Sequence, residues 1–137
     1  ARAAEKAGEK AVPGAMNILA FDLDEKGNVG KPRVLYDFGK GPGCDGMTVD
    51  VKGNLYLTSR NPKRPGVIVL NPEGKEIAFL ATGAADQEAA SVVGLPSNVV
   101  FGIGDDSTTL YITVDVSLYR VKLKVAGHHS TGIGGKK

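Results

Sequence analysis

The residues of this 137-residue chain best suited to chemistry are a carboxylate, an amide and a short cationic loop. Asp45 stands in Cys44-Asp45-Gly46-Met47, at the mouth of a stretch whose side chains alternate like those of a strand. Asn98, in Pro96-Ser97-Asn98, stands before a second such stretch, and Arg60, Asn61, Lys63 and Arg64 form the polar loop that follows the first. A carboxylate before a strand can accept a proton, offer oxygen to a cation or cap its own turn, and residue type alone leaves these open. The same holds for Asn98, a turn former or a substrate-facing amide, and for the loop cations, which either meet the hydroxyls or carboxylate of a ligand or are simply solvated. Cys44 has no evident base to pair with and reads as a buried small side chain. His128 and His129 belong to a glycine-rich tail and read as solvent-facing. The terminal Gly-Ile-Gly-Gly-Lys-Lys lacks the spacing, and the following serine or threonine, of a phosphate-binding loop.

The elements that must position these residues read as β-structure from residue 17 onward. Extended runs flank a turn at Glu25 to Asn28, then Lys52-Gly53, then Pro72-Glu73-Gly74, each with a residue that tolerates positive φ. After a small-residue stretch from Thr82 to Leu95, Asn-Val-Val-Phe and Thr-Leu-Tyr-Ile-Thr-Val flank Gly104 to Ser107, and Ser-Leu-Tyr-Arg-Val-Lys closes the series. Short strands punctuated by Gly, Asn and Asp predict an all-β antiparallel meander. The stretch from Ala81 to Leu95 is expected to form a short helical or irregular cover.

A weak internal repeat sharpens this reading. Asp-Gly-Met-Thr-Val-Asp-Val-Lys-Gly-Asn-Leu-Tyr-Leu-Thr and the run from Ser97 to Thr113 share a polar residue, a short apolar strand, a Gly/Asp turn and then Leu-Tyr-Leu/Ile-Thr. A spacing near that of a propeller blade predicts four-stranded antiparallel blades. Chain direction reverses at each turn, so alternate connections fall at opposite ends of a blade. That parity puts Asp45, the loop from Arg60, Asn98 and Asp115 at one end. The turns at Lys52-Gly53, Pro72 to Gly74 and Asp105-Asp106 fall at the other.

With these motifs in hand, Cys-Asp-Gly-Met-Thr-Val-Asp-Val-Lys-Gly-Asn-Leu-Tyr, Pro-Ser-Asn-Val-Val-Phe-Gly and Thr-Leu-Tyr-Ile-Thr-Val-Asp-Val-Ser-Leu-Tyr-Arg-Val resemble the C-terminal half of the gluconolactonase and regucalcin (senescence marker protein) family. The resemblance implies a fold: all-β, about half of a six-bladed β-propeller, with residues 1–16 as a leading segment and 17–137 as the propeller portion. It also implies an activity, the metal-dependent hydrolysis of a sugar lactone to its hydroxy acid, with Asp45 as metal ligand and general base. Asn98, Arg60 and Asn61 are the substrate-facing candidates. The implied cofactor is one divalent cation, Ca²⁺ before Zn²⁺, Mn²⁺ or Mg²⁺, whose other ligands would lie upstream of Ala1. The chain is accordingly expected to be a fragment, completed by missing N-terminal blades or by a second chain, and weak or inactive alone. A non-catalytic propeller binding module, or a related phosphotriesterase or other lactonase on the same scaffold, are the alternatives.

Composition is consistent with a globular domain and narrows the partners. Seventeen basic and fifteen acidic side chains give a net charge of +2 with no extended basic patch, too little for a nucleic-acid footprint. No apolar run approaches the ~20 residues of a membrane span, so no membrane partner is expected. One cysteine excludes an internal disulfide. Compartment is left undetermined, since an export signal would precede Ala1.

Overall fold

The structure is a computed structural model and describes residues 14–88 and 92–129. The leading segment up to residue 13, positions 89–91 of the Ala81 to Leu95 stretch and the Gly-Ile-Gly-Gly-Lys-Lys tail lie outside the described residues. Antiparallel strands dominate, and the sole helical element among the described residues is a single 3₁₀ turn at Gly104–Asp106. The chain divides into two compact units, 1–41 and 42–137.

The first unit is a hairpin of β1 (Asn17–Leu23) and β2 (Val29–Asp37). Its turn is built by Asp24, whose Oδ1 accepts from the backbone N–H groups of Lys26 and Asn28 while Gly27, at φ 80°, donates to the Asp24 carbonyl. The same device recurs in the second unit. Asp50 accepts from Lys52 and Asn54 with Gly53 at φ 81°, and Asn71 accepts from Lys75 with Gly74 at φ 82°. An Asp or Asn side chain mimics a backbone acceptor at the start of the turn, and glycine takes the left-handed position without steric cost.

The second unit holds two meandering sheets. Strands β3 (Met47–Val49), β4 (Leu55–Ser59), β5 (Gly66–Leu70) and β6 (Glu76–Ala81) form one in sequential order. Strands β7 (Pro96–Phe101), β8 (Thr109–Val114) and β9 (Ser117–Lys122) form the other. The expected blade is thus complete with four strands in the first sheet, and three strands of its repeat are present in the second. Burial is deepest on β4, β5 and β8 and declines to the exposed outer strands β6 and β9.

Alternation explains the packing. Tyr56 on β4 and Val67 and Val69 on β5 turn their side chains to Val99 and Phe101 on β7 and Leu110, Ile112 and Val114 on β8, forming one core between the sheets. Tyr56 and Phe101 meet edge to face at 5.1 Å, in the arrangement aromatic quadrupoles favour. The Tyr56 hydroxyl enters this core because it can donate to the buried Asp50 carboxylate at 3.1 Å. At that end the chain after β9 is tied in by an antiparallel bridge between Asp50 and Gly127 and by Gly127 N–H donating to Ser107 O.

Candidate functional site

The opposite end of the two sheets gathers the residues singled out in sequence. Asp45 lies just before β3, and its main chain is fixed by a threonine on the neighbouring strand. Thr58 Oγ1 accepts from the N–H of Asp45 at 3.2 Å and of Gly46 at 2.9 Å, and donates to Gly46 O at 3.1 Å. Thr58 is fully buried, so the anchor is dry, while the Asp45 side chain is 54% exposed. Asp45 is therefore a solvent-facing carboxylate on a fixed backbone, and its side chain does not cap its own turn.

Arg60, which follows β4, returns to this end as strand parity requires. Its Nε lies 3.3 Å from Asp45 Oδ2, and its Nη1 donates to Pro96 O over 3.5 Å. Asn98 comes in from β7. A Cβ on Gly46 would stand 2.4 Å from Asn98 Oδ1 and 2.7 Å from its Cα, so only glycine allows the two strand mouths to approach this closely. Asp45, Arg60 and Asn98 thus converge around Gly46. Asn98 Oδ1 accepts from Val99 N–H, and its residue is exposed.

The remaining loop candidates are placed differently. Asn61 Oδ1 accepts from Lys63 N–H, which spends its acceptor on shaping the loop. Arg64 turns away to a bidentate pair with Glu76 and lies over the Phe79 ring. Cys44 is half-buried, where a buried side chain was expected; burial, then the Asp45 charge, push its thiol up and make it a poor nucleophile. Both histidines are exposed, and the His129 ring lies 2.8 Å from Gly102 O at the far end.

The connection from β6 to β7 is irregular and helix-free among its described residues. Asp86 N–H donates to Lys63 O and Gln87 N–H to Pro62 O, which lays the segment against the Arg60 loop. The Gln87 amide bonds both main-chain groups of Val93, Asp86 and Gly94 adopt φ of 54° and 81°, and Asp115 Oδ2 accepts from Gly94 N–H. Side-chain bonds to the main chain thus hold the connection where a helix would have used its own.

Two residues escaped the sequence reading. Thr113 Oγ1 accepts from Asn98 N–H at 2.9 Å and pairs with Ser97 Oγ at 2.9 Å, while Asn98 pairs with Thr113 across the sheet. The Asn98 N–H bond copies that of Gly46 to Thr58, so Asn98 is the counterpart of Gly46 and the preceding Ser97 that of Asp45. The last threonine of the repeated Leu-Tyr-Leu/Ile-Thr was the signal for both.

Asp45 and Asn98 carry oxygen donors of the kind hard cations take. Among the described residues no three His, Cys, Asp or Glu side chains gather as a metal site, so these residues supply at most part of a coordination sphere that needs about six oxygens.

Comparison with known proteins agrees with this architecture. Residues 13–115 match the model of the SMP-30/gluconolactonase/LRE-like region. The chain belongs to this family. Two solved structures align well with it. One is the X-ray structure of a protein assigned as a gluconolactonase, with a TM-score of 0.64 and 25% identity over 83% of this chain and 34% of its own. The other is a gluconolactonase from Xanthomonas campestris, described as important in glucose secondary metabolic pathways. It gives a TM-score of 0.58 and 23% identity over 86% of this chain and 32% of its own. The chain therefore spans about a third of the length of these structures, as a partial β-propeller. A search of curated proteins returned no significant match.

Proposed function

We propose that this member of the SMP-30/gluconolactonase family supplies one sector of a lactone hydrolase, and that Asp45 is its general base and its contribution to a divalent-cation site. The observation that carries the reading is the exposed Asp45 carboxylate, held on a main chain that buried Thr58 fixes and set beside Arg60 and Asn98. A divalent cation, Ca²⁺ foremost given oxygen-only donors, would polarise the lactone carbonyl and lower the pKa of a water; its further ligands would come from outside the described residues.

The chain's own residues have defined tasks. An Asp45 carboxylate oxygen takes the proton of the water that attacks the carbonyl carbon. The ring C–O bond then breaks, and the ring oxygen leaves with a proton as the hydroxyl of the product acid. Arg60 fixes the orientation of Asp45 through Oδ2, leaving Oδ1 to face the cation site and the water. Asn98 presents its amide to substrate hydroxyls.

The test is a proton-release assay of sugar-lactone opening with added Ca²⁺, on the complete enzyme to which this sector belongs and on its Asp45→Ala variant. Loss of at least about a hundredfold in rate is expected, the usual scale for a positioned acid or base. The Asp45–Arg60 pair is solvent-exposed and adds little stability, so thermal unfolding without metal should be nearly unchanged. An Asp45→Ala protein that keeps its lactonase rate would end the assignment.

A further inference from the structure

The geometry points to Arg60 as a reader of substrate charge: we infer that the site favours lactones carrying a free carboxylate over neutral ones. This rests on the lactonase reading and adds the class of substrate. Arg60 is pinned at two of its nitrogens, Nε against Asp45 Oδ2 and Nη1 toward Pro96 O. Its Nη2 has no partner among the described residues, and the side chain is 38% exposed. A guanidinium held this way presents its remaining N–H groups in a fixed direction, and less freedom is lost when an anion takes them than with a mobile lysine.

Of the two arginines in the loop, Arg60 is the one beside Asp45. Arg64, the other arginine of the loop, is consumed by Glu76 and the Phe79 ring. On the facing connection, Asp115 is engaged by Gly94 N–H. The position is also apt for chemistry. The group that would hold a substrate carboxylate touches the group that would deprotonate the water, so the bound anion and the reacting carbonyl lie within one sugar's length. A neutral lactone would leave those N–H groups facing only water.

Binding separates the inference from the catalytic reading. The five-membered lactone of glucaric acid, which keeps a carboxylate, and that of galactonic acid, which is neutral, are titrated into the complete enzyme to which this sector belongs, by calorimetry with Ca²⁺ present. The acidic lactone is expected to bind about tenfold tighter, the scale of one charge-assisted hydrogen bond pair. Arg60→Gln should bring the ratio near unity, Arg60→Lys should restore part of it, and added salt should shrink it. Equal affinities in the unmodified protein, or a preference that survives Arg60→Gln, would overturn the inference and leave the lactonase reading standing. Binding of neither lactone would overturn both. A melting curve of Arg60→Gln matching the parent confirms that the ratio reports recognition.

Discussion

Replacing Thr58 with valine tests whether the Asp45 backbone is held as described. The two side chains have nearly the same shape, so no cavity opens and the loss is confined to hydrogen bonding. Thr58 Oγ1 satisfies two N–H groups, on Asp45 and Gly46, and one carbonyl. That carbonyl keeps a partner, because Gly46 O also accepts from Thr58 N–H at 3.0 Å. Asp45 is exposed and its N–H can turn to water, whereas Gly46 is half-buried and packed against Asn98. One weakened bond at roughly 0.5–1 kcal/mol and one stranded donor at roughly 1–2 kcal/mol give an expected loss of about 2 kcal/mol. Thr113→Val is the internal control. Thr113 likewise accepts from the Asn98 N–H and meets the Ser97 hydroxyl, but it is exposed, so water replaces the hydroxyl and the loss should be about 0.5 kcal/mol. Equilibrium urea unfolding at matched slopes measures both. A Thr58→Val loss no larger than that of Thr113→Val would refute the claim that burial makes this anchor rigid.

At the other end of the sheets, Gly127→Ala would place a Cβ 2.1 Å from Phe101 Cβ and 2.3 Å from its Cγ, and Phe101 cannot retreat from the core beside Tyr56. Overpacking of this kind costs about 3 kcal/mol, read as a fall in melting temperature of about 10 °C. The Asp50 carboxyl gives a pH dependence. Burial, the largest influence, pushes it up, but hydrogen bonds from Asn54, Lys52 and Tyr56 together outweigh that and hold it below the usual carboxylate value. A depressed native value stabilises the fold above the unfolded pKa of ~4, and the stability is lost as pH falls through the native value. Asp50→Asn should therefore lower stability at neutral pH, with the gap to the parent closing below about pH 4 in acid titrations followed by circular dichroism. A gap that stays constant across the acid range would exclude Asp50 as its source.

The hairpins were legible because their determinants are local. Asp24, Asp50 and Asn71 each sit three residues before a glycine, and the side-chain acceptor and positive φ they signal are satisfied inside the turn. Parity then carried Asp45, Arg60 and Asn98 to one end without any knowledge of packing. What stayed hidden depends on contacts across strands. Arg60 and Arg64 are alike in sequence, yet one reaches Asp45 while the other reaches Glu76 on β6. Nothing in the spacing of the loop distinguishes them, since the choice follows from which neighbouring strand lies under each side chain. Asn61 likewise bears the same amide as Asn98, but a turn two residues long claims its oxygen.

The repeat also explains why a carboxylate stands in one sector and a hydroxyl in the next. Thr58 and Thr113 take the main-chain N–H of Gly46 and of Asn98 in the same way, while at the first position Thr58 holds the Asp45 N–H and Thr113 meets the Ser97 hydroxyl. At the second position the scaffold demands opposite things. Gly46 must lack a side chain because Asn98 occupies that space, and Asn98 can have one because Gly46 does not. A charge at Ser97 would stand beside the Thr113 hydroxyl in the same small region as Asp45, and two neighbouring carboxylates would oppose each other's ionisation. Serine at that place adds no second charge beside the Asp45–Arg60 pair. Introducing Ser97→Asp is thus the perturbation most apt to change the chemistry of this end without disturbing the fold that carries it.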